Sequence, residues 1–100
     1  MSKPLVIEGE LTVFTAHALK AQLMQALADA GPALQLELSG VSEVDGAGVQ
    51  LLLATLREAR QRGAALDLIA APPQLTEALR LIDVAGEFAG RATPETEPVA

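Results

Sequence analysis

The stretch "SEVDGAGVQLLL", residues 42–53, brings together an aspartate, a Gly-Ala-Gly run and a long apolar segment. Val49, Leu52, Leu53 and Leu56 fall on one face at helical spacing. The longer run "GAGVQLLLATLREARQRG" therefore predicts a helix that Gly63 ends. Glu58 and Arg62 lie four apart on its outer face, an arrangement that adds roughly a few tenths of a kcal/mol. Asp45 stands where such a helix begins. Its carboxylate can accept hydrogen bonds from the free N–H groups of the first turn, and it suits the positive end of the helix dipole. Small residues behind it mean that the helix start closely approaches a partner or a packed neighbour. Gly48 is assigned to helix–strand packing or backbone clearance.

Upstream, "PLVIEGELTV" places Leu5 and Ile7, then Leu11 and Val13, around Gly9, and predicts two short strands joined by a tight turn. "TAHALKAQLMQALADAG" carries Ala16, Leu19, Leu23, Ala26, Leu27 and Ala30 at three- and four-residue steps. It predicts a helix with Thr15 as N-cap, Gly31 as stop and Pro32 beyond. "ALQLELS" alternates Leu34, Leu36 and Leu38 with Gln35 and Glu37, the pattern of a strand with one buried and one wet face. "GVSEVD" follows as a loop. Downstream, "AALDLIA" repeats the alternation, with Leu66 and Leu68 inward and Asp67 outward. "PPQLTEALRLIDV" predicts a proline-opened helix carrying Leu75, Leu79 and Ile82, and "GEFAG" a last short extended piece.

The order is β-β-α-β-α-β-α with a weak final strand. Parallel crossovers of one hand then imply an α/β fold in two layers: a small mixed, mostly parallel sheet with helices on one face. One domain is expected over residues 1–90. Residues 91–100, rich in Pro, Glu and Thr without periodicity, read as a disordered tail.

A chain of 100 residues is the size of one domain, and with half of them apolar it can build a core without staples. The absence of cysteine excludes disulfides and thiolate chemistry and fits a reducing compartment. Phe14 and Phe88 are the only aromatics, so Leu, Val, Ile and Ala must fill the core. A formal net charge of −6 disfavours nucleic acid, whose phosphates need Lys and Arg, and suits basic protein partners. The start, "MSKPLVIEGEL", has no apolar stretch of signal length, and no run reaches the ~20 apolar residues of a membrane span. A cytoplasmic protein without membrane insertion is expected.

Catalytic chemistry finds little support. His17 is the only histidine, which gives little support to a zinc site or a histidine-based triad, and a surface role is expected for it. The phosphate-loop pattern needs a lysine after the glycines, where this chain has Val49 and Gln50. The dinucleotide fingerprint needs a third glycine, where it has Leu51. Glu43 and Asp45 lie after a strand and before a helix, where open α/β sheets place ligands. No base, nucleophile and oxyanion donor converge with them. The expectation is a protein that is not an enzyme and holds no metal or cofactor.

The run "LELSGVSEVDGAGVQLLLATLREARQRGAALDLI" resembles the core of a STAS domain, the family of bacterial anti-sigma factor antagonists. The matching residues are Glu37, Leu38 and Ser39 at a strand end, then Val44 and Asp45, Gly46 and Ala47, Gly48, and the apolar helix from Val49. "PPQLTEALRLIDVAGEF" is similar to the family's closing pattern, and the resemblance covers residues 4–89. It implies a protein-interaction module whose motif loop reads Asp-Ser-Ser-Gly in the antagonists, the second serine being phosphorylated by a partner kinase. Those serines fall on Gly46 and Ala47, so the usual phosphosite position carries no hydroxyl. Ser39 and Ser42 are nearby, with strand-end and turn hydrogen bonding as the expected role.

The resemblance implies partner binding at the loop of Glu43, Asp45, Gly46, Ala47 and Gly48, with further contacts from Gln50, Leu51 and Met24. Gln50 also makes the chain similar to stand-alone STAS proteins of chemotaxis systems. The implied partner is a kinase-type or chemotaxis signalling protein. Two alternatives stay open. One is an accessory STAS subunit of a phospholipid-transport ABC ATPase, which normally has a threonine at the position of Gly46. The other is a small-molecule or nucleotide binder using the free N–H groups of the helix start. The wet sheet face and exposed edges allow a homodimer.

Overall fold

A side-chain period of two in the strands and of 3.6 in the helices yields one buried sheet face and helices to cover it. A computed structural model describes residues 4–82 and 92–94. The elements are β1 (Leu5–Leu11), α1 (Ala16–Ala30), β2 (Ala33–Val44), α2 (Gly46–Gln61), β3 (Ala65–Ala71), α3 (Pro73–Ile82) and β4 (Ala92–Pro94). The strands form one sheet in the order β1-β2-β3-β4, and each described pairing is parallel. Consecutive parallel neighbours joined by crossovers of one hand always advance in one direction, which keeps the helices on a single face.

Register puts the alternating leucines side by side. Leu34 pairs with Leu66 and Leu36 with Leu68 across β2 and β3, and Leu5 pairs with Leu36 across β1 and β2. Leu36, Leu38, Leu66 and Leu68 are buried on the helix side, each contributing about 2 kcal/mol. Gln35 stays exposed and Glu37 and Asp67 half-buried on the other side, where Glu8 and Glu10 of β1 are also exposed. Leu23 and Leu27 of α1, Val49, Leu52 and Leu56 of α2, and Leu75 and Leu79 of α3 close the core from above. The Glu58–Arg62 pair forms on the outer face of α2, with Arg62 Nε 3.0 Å from Glu58 Oε2.

Several expectations need correction. The apolar pairs around Gly9 do not form two strands with a tight turn. They belong to one strand, β1, whose register against β2 shifts between Val6 and Glu8 and between Gly9 and Glu10. Gly9, at φ 82°, supplies the left-handed backbone that a bulge requires. Val13 consequently lies beyond the strand. Residues 40–44, read as loop, extend β2 because the second half of β1 pairs with them. Thr15 makes no side-chain cap for α1; its hydroxyl turns back to the Glu10 carbonyl, 2.8 Å away. Three residues of the segment read as a tail, Ala92–Pro94, pair with β3. The extended piece expected at residues 86–90 lies outside the described residues, as does the remainder of the tail segment.

Candidate docking site

Parallel strands all end at the same edge. Leu11, Val44 and Ala71 close β1, β2 and β3 there, and Ala16, Gly46 and Pro73 open the three helices. The loop at residues 12–15 and Asp45 are thereby brought together, at the carboxyl ends of the strands where open α/β sheets bind their ligands.

Asp45 ties this edge together. Its Oδ1 accepts from the Gly48 N–H at 3.0 Å, the N-cap contact, and its Oδ2 accepts from the Val13 N–H at 3.0 Å. Its own N–H donates to the Leu11 carbonyl at 3.2 Å. Capping follows from the local sequence, whereas the contact to Val13 bridges 32 positions of chain. The Val13 N–H first, then the Gly48 N–H, hold the carboxyl below its ordinary range; desolvation opposes them, and the Ala47 N–H adds a lesser lowering. The side chain is engaged in structure on both oxygens.

Gly48 answers to packing. A Cβ there would lie 1.9 Å from the Leu11 carbonyl oxygen and 2.6 Å from its carbon, so only glycine lets α2 reach the end of β1. Gly46 differs, since a Cβ at that position meets nothing within 4 Å. Ala47 is half-buried between them. Positions 46 and 47 are thus held in the first turn of α2, with room for a side chain at Gly46.

Glu43 and Gln50 are exposed, and Gly46 joins them at the same edge. Leu51 is buried. It is 7% exposed within the core, because α2 lies between α1 and α3 and is covered on more than its inner stripe. Thr55, fully buried, donates to the Leu51 carbonyl at 2.7 Å for the same reason. Met24 is half-buried and packs against the core cluster. His17 is exposed in the first turn of α1. Ser39 is exposed and its N–H donates to Glu37 Oε1 at 2.8 Å; the Ser39 hydroxyl and N–H lower the Glu37 pKa.

Residue reading missed Val13 and Phe14. They are 61% and 89% exposed on the 12–15 loop, where the Val13 N–H meets Asp45. The available signal was the scarcity of aromatics: with only two in the chain, an aromatic outside every apolar stripe is conspicuous. Among the described residues no three His, Cys, Asp or Glu side chains group as metal ligands, and no described helix is long and apolar enough to cross a membrane.

Comparison with known proteins fits this geometry. The family model described as "Mlab, STAS domain" matches residues 2–90. Among solved structures, the chain is similar to the anti-sigma factor antagonist SpoIIAA in its unphosphorylated form, with a TM-score of 0.66 and 18% identity. The match covers 96% of this chain and 86% of that one. At that identity the likeness is one of fold. No curated protein matches the chain by sequence.

Proposed function

The chain belongs to the STAS domain family, and from that premise we propose that it is a non-catalytic protein-interaction module of bacterial signalling. It docks through the edge formed by Glu43, Asp45, Gly46, Ala47 and Gly48. Its partner is a kinase-type or chemotaxis signalling protein in the cytoplasm. The observation that carries this reading is the construction of the α2 start. Asp45 and Gly48 hold the turn in place by hydrogen bond and close packing, while Gly46 and Ala47 present no hydroxyl. A phosphate at such a site adds about −1.5 to −2 of charge. Without an acceptor oxygen at either position, this loop stays in its binding-competent charge state.

Affinity capture with the wild type beside Ala47→Glu and Asp45→Lys tests the reading. A signalling protein retained by the wild type and lost with either variant supports it. A partner held equally by all three places docking on another face. Gly46→Ser and Ala47→Ser, incubated with the captured kinase, are expected to restore phosphate transfer to the loop if the partner is of that type.

A second reading is supported by the description of the family model, which names the Mlab type. On that reading the chain is an accessory subunit of a phospholipid-transport ABC ATPase, and co-purification with a membrane ATPase separates it from the first.

A further inference from the structure

We infer that Val13 and Phe14 form the anchor of the docking surface, and that their counterpart is an apolar pocket rimmed by Lys or Arg on a folded protein partner. The inference rests on the reading of the chain as an interaction module and names where on that edge the binding energy resides.

Phe14 is 89% exposed and Val13 61% exposed; among the described residues Leu81 and Val6 are the other exposed large apolar side chains, and neither lies at this edge. Exposure here does not come with a loose loop. The backbone N–H of every residue from 12 to 16 has an acceptor. Thr12 donates to Thr15 Oγ1 at 3.1 Å, Val13 to Asp45 Oδ2 at 3.0 Å and Phe14 to Thr12 Oγ1 at 3.3 Å. Thr15 and Ala16 both donate to the Thr12 carbonyl, at 3.0 and 2.8 Å. The buried Thr12 hydroxyl donates in turn to Glu10 Oε1 at 3.0 Å. A fixed loop that presents an aromatic ring loses little conformational entropy on binding, which is the condition under which an aromatic side chain becomes an interface hot spot. Asp45 acts here as a positioning residue. It links the motif turn to Val13, so a change of charge in the motif also moves the anchor.

The surrounding charge selects the occupant. Glu10 and Glu43 are register partners at the ends of β1 and β2, and both are exposed. Glu10 lies one hydroxyl away from the Phe14 N–H, and Glu43 lies two residues before Asp45. A second copy meeting this edge symmetrically would bring like carboxylates together. An anionic lipid surface would be repelled by them in the same way. A cation-rimmed apolar pocket satisfies both the ring and the carboxylates.

The test uses the full chain with p-benzoylphenylalanine placed at Phe14, at Gly46, or at Gln61 on the far end of α2 as control. Irradiation is done in cells, and the adducts are read by mass spectrometry. One protein is expected from Phe14 and Gly46 and none from Gln61. With that protein purified, Phe14→Ala is expected to weaken Kd by about thirtyfold or more without lowering Tm. Glu43→Lys is expected to slow association, with a weaker salt dependence than the wild type. An adduct with a second copy, or with lipid, overturns the inference. So does a protein adduct whose Kd is unmoved by Phe14→Ala; if Ala47→Glu still abolishes that binding, the motif loop alone is the surface and the proposed function stands. No protein adduct from either Phe14 or Gly46 defeats both.

Discussion

Gly48 and Gly46 stand two residues apart in one helix start, yet a Cβ on the first would overlap the Leu11 carbonyl oxygen while a Cβ on the second meets nothing. The inner side of this edge is packed to contact; the outer side, with Gly46, Val13 and Phe14, is open. A run of small residues that reads as one motif therefore has two physical causes. One glycine exists because backbone meets backbone. The other has open space outside the fold, where no packing contact requires a glycine.

The largest expected effect breaks the comparison on its packed side. Gly48→Ala forces α2 away from β1 and should cost about 3 kcal/mol or more in urea unfolding. A Gly48→Ala protein as stable as the wild type would show that the close approach to Leu11 is absent in solution. Asp45→Asn should follow. The Asp45 carboxyl is held below its ordinary value of 3.8, so its contribution is present above that value and is lost as pH falls through the folded pKa. The Tm gap between wild type and Asp45→Asn is therefore expected to be widest at neutral pH and to shrink as the pH falls below 3.8. A gap that grows on acidification would contradict the two amide contacts.

A smaller effect concerns the third strand. Ala70 lies near its end at φ 58°, a left-handed backbone on a residue with a Cβ. Ala70→Gly should raise stability by about 1 kcal/mol. The smallest effects belong to the open side. Gly46→Ala and Phe14→Ala should each change stability by about 0.5 kcal/mol or less, since neither position packs against the fold. If Phe14→Ala lowers Tm markedly, the ring is part of the core and the contrast between the two sides fails.

Much of this was legible along the chain, for a definite reason. Periodicity is local, so Leu34, Leu36 and Leu38 declare a strand face, and Leu23 with Leu27 a helix face, without reference to anything distant. The cap at Asp45 is equally local, because its acceptor and the Gly48 donor lie three residues apart. The STAS resemblance was carried by the same contiguous motif.

What only the tertiary structure decided is which of these residues meet. Whether residues 40–44 are loop or strand depends on β1 arriving beside them. Whether Leu51 is surface or core depends on α1 and α3 flanking α2. The Val13 contact to Asp45, and the exposure of Phe14 next to it, depend on two loops ending at one sheet edge. A side chain's burial is set by every element around it, and the sequence by itself states only the residue's own contribution and that of its near neighbours in the chain.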